Sequence, residues 1–391
     1  MHLSQGYTYH LSIMQFIFSL AQVTPVYLLS LDTEAQISEF YRREFGSNTP
    51  SSLNILTIRN KRFGFRSNTL WFRLGVLRVI SGLAKGKTRI AIYTRNVKLA
   101  AWLFSRLRKD HRFLKVFESH QIFSQNLAFE GRFAEAAKEF ELERKLYRNA
   151  DLIFANTGLL ASRIKRLFGS CATVLPVAVR SADIGVVSEQ QTTSRHYDFV
   201  YVGSFNEWKG VDVLLDALKH LVGQGWTGKA LLIGVRPADE RLMQEKIDAL
   251  AIASVTDLLP RVPKDKVASL LDQARVGVIP NSLLDDSIFN TSPLKLFDYA
   301  ARGLPMVISA VPALLTEINL DAVEWFVPDN SVSLAKHLEL ALNKYGSQTH
   351  GTTIEWAFER SWDKRASLVL GAIQRLVPKG GLEPPSPQRQ R

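Results

Sequence analysis

Two stretches of the 391-residue sequence carry residue types that could hold and activate a diphosphate. The first, NTSPLKLFDYAARGLPMVIS at residues 290–309, reads as a helix between two strands. Ser292 is placed to cap it, Pro293 at its first position gives up no needed amide, and Gly303 can close it in a left-handed conformation. Its amino end then offers the amides of Leu294 and Lys295 and the positive end of the helix dipole, where a diphosphate can rest. Asp298, one turn further on, could accept bonds from ribose hydroxyls. The second stretch, YVGSFNEWKGVDVLLDAL at residues 201–218, is a strand ending at Gly203, a loop with Lys209, and a helix. Gly203 lets a ligand approach the backbone, and Lys209 can meet negative charge developing on a phosphate. The competing readings are structural: a well-capped packing helix and a surface lysine beside a helix start.

These segments need a frame, and the frame is legible as alternation. Short β-branched runs at 26–31, 54–58, 89–94, 115–119, 152–155 and 173–176 alternate with amphipathic stretches such as 132–149. That pattern predicts a parallel sheet flanked by helices, a doubly wound α/β fold. The polar run 181–195 reads as a linker, after which strands at 199–202, 230–233, 276–280 and 305–309 restart the pattern. Helices are expected at 211–221, 264–274, 293–302 and, last, 353–376. Two domains follow, 1–182 and 196–350, with a helix at 351–377 that could cross back to the first, and a disordered tail at 378–391. A Rossmann-like domain opens with a buried strand before its glycine turn. Only five residues precede Gly6 here, and they make no strand, so either the chain begins too late or the first domain is expected to lack its first strand.

Composition narrows the classes. Apolar residues make up 46% and charged residues 22%, as in an ordinary globular protein. The single cysteine, Cys171, excludes an internal disulfide and a thiolate metal cluster, and it reads as a small buried residue in a reducing cytoplasm. The apolar segment 11–31 has no basic residue before it and is divided by Pro25, so it reads as a buried helix and strand rather than a signal or anchor. Net charge is +12, and residues 51–100 contain no acid. In that window Arg59, Lys61, Arg62, Arg66, Arg73, Arg78, Lys85, Lys87, Arg89, Arg95 and Lys98 interleave with Phe63, Phe65, Trp71 and Phe72. Leu70, Leu74, Leu77, Val76 and Ile80 fall near one helical face, as in an interfacial helix, though a domain-packing helix would look the same. An anionic membrane surface suits the charge, and so does a plain solvated face. Nucleic acid does not, since no helix-turn-helix, RNP or zinc-finger pattern accompanies it.

Together the motifs resemble the retaining glycosyltransferases of family 4, glycosyl transferases group 1, over most of the chain. The likeness rests on IYTRN at 92–96, FESH at 117–120, ADLIFANT at 150–157, VGSFNEWKG, RVPKDKV, VGVIPN, SPLKLFDYAARG and SWDKRA at 361–366. It implies the GT-B fold, two Rossmann-like doubly wound domains facing across a cleft. It also implies a nucleotide diphosphate sugar as donor and a catalytic set of His120, Lys209 and Asp298, with His120 at the transferred sugar. The donor site would comprise Gly6, Gly203, Ser204, Gly234, Arg261, Val262, Asn290, Thr291, Ser292, Pro293, Leu294 and Lys295. The sequence departs from the family pattern where Ser204 replaces an arginine of the phosphate clamp, where Asn290 replaces the first of two acids, and where Asp298 is shorter than the usual glutamate.

No carboxylate pair reads as the acid and nucleophile of a double-displacement glycosidase, and no DxD motif or His cluster suggests a metal. The expectation is therefore a retaining, metal-independent glycosyltransferase with no cofactor. It would be cytoplasmic, peripheral on the inner face of the membrane, and would act on a cell-envelope polysaccharide or lipid-linked glycan. Two other readings stay open: a nucleotide-sugar epimerase, and a binding or assembly protein that kept the fold and lost catalysis. A nicotinamide dehydrogenase is disfavoured because no GxGxxG with a following acid occurs.

Overall fold

Glycine, proline and asparagine stop the short apolar runs, and each run so bounded becomes one strand of a parallel ladder. The computed structural model describes residues 8–58, 61–62, 65–66, 69–84, 89–185, 195–344 and 348–376. The chain divides into two compact units, the first from residues 1–176 and 362–391, the second from Val177–Ser361.

The first unit runs α1 (Thr8–Val23), β1 (Val26–Ser30), α2 (Glu34–Phe45), β2 (Leu53–Thr57), β3 (Lys61–Arg62), β4 (Phe65–Arg66), α3 (Thr69–Leu83), β5 (Ile90–Thr94) and α4 (Val97–Arg106). It continues through β6 (Phe113–Ser119), α5 (Phe123–Phe129), α6 (Phe133–Asn149), β7 (Leu152–Ala155), α7 (Gly158–Phe168) and β8 (Thr173–Val174). Segment 11–31 is thus the helix and strand expected of it. β5, β6, β7 and β8 form one parallel sheet, while among the described residues β1 and β2 pair with each other alone. Among the described residues no ladder joins β1 to β5, and β5 is half-exposed along its whole length. In a doubly wound sheet the first strand lies between these two.

Separate cores support the two parts. Met14 and Ala21 of α1 pack with Ile37, Phe40, Tyr41 and Phe45 of α2, and the Tyr41 hydroxyl donates to the Met14 carbonyl at 2.6 Å. Phe104, Phe117, Leu146, Ile153 and Leu160 build the core under β5–β8, which also takes Val76 and Ile80 of α3.

The second unit contains β9 (Tyr197–Val202), α8 (Val211–Gly223), β10 (Ala230–Val235), α9 (Glu240–Ala249), β11 (Thr256–Pro260), α10 (Lys264–Leu271), β12 (Ala274–Ile279) and α11 (Asp285–Asn290). After these come α12 (Leu294–Ala301), β13 (Met306–Ser309), α13 (Pro312–Glu317), β14 (Val323–Phe326), α14 (Ser331–Lys344) and α15 (Gln348–Phe358). Its six parallel strands lie in the order β11-β10-β9-β12-β13-β14. The chain builds outward from β9 to β11, then returns to place β12 on the other side of β9. The switch point, where open α/β sheets bind ligands, is the carboxyl edge of β9 and β12.

Four sequence readings need correction. The single helix expected at 353–376 is two, α15 and α16 (Trp362–Arg375), because the intervening backbone bridges to Val179, whose amide donates to the Arg360 carbonyl at 3.2 Å. Cys171 is exposed rather than buried, since it follows the end of α7 on the way into β8. The apolar stripe of α3 is not one face: Val76 and Ile80 are buried, whereas Leu70 and Leu74 are exposed. Strands β11 and β14 were not read from the sequence at all. Of the expected linker, Ser181–Asp183 form a 3-10 turn, while 186–194 and the tail at 378–391 lie outside the described residues. No described helix is long and apolar enough to cross a membrane.

Candidate active site

The switch point of the second unit is shaped by glycines. Gly203 ends β9 with φ +149°, and a β-carbon there would lie 3.2 Å from the Tyr201 hydroxyl and 3.3 Å from Lys295 Nζ. Gly234, at φ +117°, allows β10 to approach: a β-carbon would fall 2.2 Å from the Gly203 carbonyl oxygen. Gly210, left-handed before α8, faces the Pro280 carbonyl so closely that a β-carbon would lie 1.8 Å from its oxygen. The loops after β9 and β12 are thereby pressed together, and the Ser282 amide donates to the Trp208 carbonyl at 3.1 Å.

Lys209 ends a 3-10 turn, Glu207–Lys209, with its Nζ 3.6 Å from the centre of the Trp208 ring. Ser204 takes part through its carbonyl, which accepts from the Tyr201 hydroxyl at 2.6 Å. The second unit thus brings Gly203, Ser204, Lys209, Gly234 and Lys295 to one sheet edge.

Helix α12 starts one residue later than expected. Pro293 is its N-cap in an extended conformation, with φ −76° and ψ 126°, and no side chain caps the helix. Ser292 therefore does not cap, because it sits one position too early for its hydroxyl to serve the first turn. The amides of Leu294 and Lys295 are left without a side-chain cap, whereas the Leu296 amide returns to the Pro293 carbonyl at 3.1 Å. Gly303 does close the helix, at φ +65°, with the Leu304 amide donating to the Tyr299 carbonyl at 3.0 Å. Asn290 ends α11 and is buried, and the Thr291 hydroxyl accepts from Asn281 Nδ2 at 3.2 Å. Asn281 Oδ1 is buried without a partner at the end of β12.

The Lys295 side chain, not only its amide, belongs to this edge. It is 5% exposed, its Nζ has no hydrogen-bond partner among the described residues, and it lies 3.7 Å from the centre of the Tyr201 ring. Burial, with the Lys209 ammonium nearby, holds Lys295 well below the usual lysine range.

Asp298 lies one turn down α12 as expected, but its carboxylate is already paired with Lys264 of α10. Asp183 and Arg302 line the same small pocket. Burial pushes the Asp183 carboxyl up, against the pull of Lys264 and Arg180. Arg261 is exposed, and with Val262 it stands in the loop after β11, two strands from β9.

In the first unit, His120 follows β6 and its Nε2 is 2.6 Å from Glu118 Oε1. Glu118 is fully buried and also meets Arg95 Nη2 at 2.9 Å, Arg365 Nη2 at 2.6 Å and the Tyr93 hydroxyl. Burial pushes this carboxyl up, but the guanidiniums of Arg365 and Arg95 together with His120 outweigh it and hold it well below the usual carboxylate range. A carboxylate so held can only accept, so His120 donates from Nε2. Burial and Arg95 lower the His120 pKa and favour the neutral ring. Gly6 lies outside the described residues.

Sequence reasoning named His120 but missed Glu118, Arg95 and Arg365 as its support. All three stand inside segments that carried the family resemblance, FESH, IYTRN and SWDKRA. Lys264, in RVPKDKV, was missed in the same way.

Comparison with known proteins shows what the chain is similar to. Residues 196–344 match the family described as glycosyl transferases group 1. The chain is 24% identical over 198 residues to the Escherichia coli K12 protein WcaL, named as a colanic acid biosynthesis glycosyltransferase, covering 50% of this chain and 48% of that one. The chain thus spans about half the length of the curated relatives it matches. In fold it is similar to the sucrose-phosphate synthase of Thermosynechococcus elongatus, with a TM-score of 0.72, 16% identity and 95% and 94% of the two chains covered. It is also similar to HepE of Anabaena, solved in complex with UDP, at a TM-score of 0.66, 13% identity and 93% and 96% coverage. These structures show the GT-B fold of two Rossmann-like units. What the comparisons establish is a likeness: residues 196–344 are similar to glycosyl transferases group 1, and the chain shares the fold of these solved structures.

Proposed function

We propose that the chain is a retaining glycosyltransferase that moves a sugar from a nucleotide diphosphate sugar to a hydroxyl of a cell-envelope polysaccharide or lipid-linked glycan. One observation carries the reading: at the carboxyl edge of β9, Gly203 opens space beside the buried Lys295 ammonium, with Lys209 and the uncapped start of α12 close by. Such an edge suits a diphosphate, and HepE, of the same fold, is known with UDP.

Lys209 and the first amides of α12 would stabilise the charge that grows on the departing diphosphate. The acceptor hydroxyl attacks from the leaving-group face and passes its proton to a phosphate oxygen, so the anomeric configuration is kept. In this reading the step is metal-independent. Asp298 would reach the ribose only with Lys264 beside it, and His120, fixed by Glu118, would bind a sugar hydroxyl. Ser204 and Asn290 favour a second reading, a binding protein on the same fold.

A thermal-shift panel of UDP, GDP, ADP, CDP and dTDP identifies the base, since ligand at 100 times its dissociation constant stabilises by about 2.7 kcal/mol. Transfer assays with the matching nucleotide sugars, read by NMR for the anomer formed, then test the reaction. Retained configuration in a glycosylated product is expected. Inverted product would refute retention, isomerised free sugar without acceptor would identify an epimerase, and binding without turnover would leave the binding-protein reading.

A further inference from the structure

Ser204 cannot supply the second positive charge that a diphosphate needs beside Lys209, yet the fold places one within reach from another element. Lys295 extends from the first turn of α12 toward the loop after β9, and its Nζ would sit 3.3 Å from a β-carbon at Gly203. Any side chain at Gly203 would crowd it. Its Nζ is buried and, among the described residues, has no hydrogen-bond partner. The acid on its own helix, Asp298, is occupied by Lys264.

What faces Lys295 does not neutralise it. The Tyr201 ring face, 3.7 Å from Nζ, gives a weak attraction, and the Lys209 ammonium repels. A buried ammonium with three unmet donors is strongly unfavourable unless an anion joins it. The uncapped amides of Leu294 and Lys295 point to the same kind of ligand.

We propose that Lys295 Nζ is the second cation of the diphosphate site, standing in from α12 for the charge that the β9 loop lacks at Ser204. This rests on the donor reading above. The ligand is a phosphate chain, carried by a nucleoside diphosphate or present as free pyrophosphate, and the arms of the test separate these sources. Because the Lys295 amine is buried with no hydrogen-bond partner among the described residues, removing it relieves the fold, and because phosphate would meet it as an ammonium, the same change weakens the ligand. A lysine with only a packing role would not give opposite signs.

The test uses the full chain and its Lys295→Met and Lys295→Gln variants, the second serving if the first does not fold. Calorimetry measures the nucleoside diphosphate that the wild type binds in the panel, its parent nucleoside, and pyrophosphate. Expected is a loss of roughly 10- to 100-fold in affinity for the diphosphate, as for a lost charge-assisted bond, with nucleoside binding unchanged and a higher melting temperature. A pyrophosphate affinity lowered in parallel assigns the effect to the phosphates alone. Diphosphate affinity within twofold of wild type, or affinity and melting temperature falling together, overturns the inference while leaving the donor reading intact. A wild type that binds no nucleoside diphosphate overturns the donor reading itself.

Discussion

Tyr299 sits against Gly277 so closely that a β-carbon on the glycine would fall 2.4 Å from its ring. From that seat on β12 the Tyr299 hydroxyl accepts from the Val202 amide at 2.9 Å and lies 3.2 Å and 3.4 Å from the carbonyls of Val200 and Val278. One side chain thus ties α12 to β9 and β12, the two strands that flank the switch point. The glycine and the tyrosine together set where the first turn of α12 stands.

The expected result for Gly277→Ala is a loss of roughly 1–3 kcal/mol, because the ring has no room to yield in a packed sheet. Tyr299→Phe should cost a similar amount, about 1–3 kcal/mol, by leaving the Val202 amide buried without an acceptor. Urea unfolding followed by tryptophan fluorescence measures both. If either variant matches wild type, α12 is not held in this way.

Lys209→Ala tests the chemistry rather than the fold. Lys209 is half-buried on a loop, so its removal should leave the melting temperature close to wild type. Turnover should fall by roughly 10²- to 10³-fold, the range for removing one preorganised group that meets developing charge. Steady-state kinetics with the donor found by the panel provides the measurement, and unchanged kcat would remove Lys209 from the leaving-group site.

How much of this was legible follows from the range of the signals involved. The turn at Gly203 and the helix stop at Gly303 were readable, and the helix start at Pro293 was readable to within one position, because each is set by one residue and its neighbours. The pairing of Asp298 with Lys264 spans two helices, and no spacing rule announces it. Lys295 was read for its amide, since an alternating pattern says where a backbone goes but not whether a long side chain turns inward. Glu118 escaped because a charged residue in a strand ordinarily faces solvent, while here Arg95 and Arg365 bury it. β11 carries Asp257 and Pro260, and β14 carries Glu324, so these edge strands lack the apolar run that marks a central one.

Glu143, outside the site, supplies a pH dependence of stability. From α6 it accepts the amides of Phe123 at 2.7 Å and Ser124 at 3.3 Å, at the start of α5. Burial pushes its carboxyl up to about 7, against the opposing hydrogen bonds. A folded value above the unfolded one means that the proton is held more tightly in the native state. Its contribution is fully present below the unfolded pKa of 4.5 and is lost as pH rises through about 7. Glu143→Gln should therefore flatten the fall in stability between pH 5 and pH 8 by an amount on the order of 3 kcal/mol. Denaturant midpoints for both proteins across that range decide it, and parallel curves would show that Glu143 does not titrate there.

Membrane attachment is tested at α3. Leu70, Trp71 and Leu74 are 52%, 41% and 38% exposed at the amino-terminal end of the helix, while Val76 and Ile80 anchor its other side in the core. Arg78 is exposed as well, and Arg73 lies 5.8 Å from the centre of the Trp102 ring. The side chains of Arg59, Lys61, Arg62, Arg66, Lys85 and Lys87 fall outside the described residues, but their charge is present in the sequence. Exposed apolar residues among cations are what an anionic lipid surface selects. The protein should float with phosphatidylglycerol vesicles at low ionic strength and be largely released near 1 M salt, where charges are screened within about 3 Å. The pair Trp71→Glu and Leu74→Glu adds acid and removes apolar area at exposed positions, so it should abolish flotation with the fold intact. Vesicle binding that ignores both salt and this pair would place any membrane contact elsewhere on the chain.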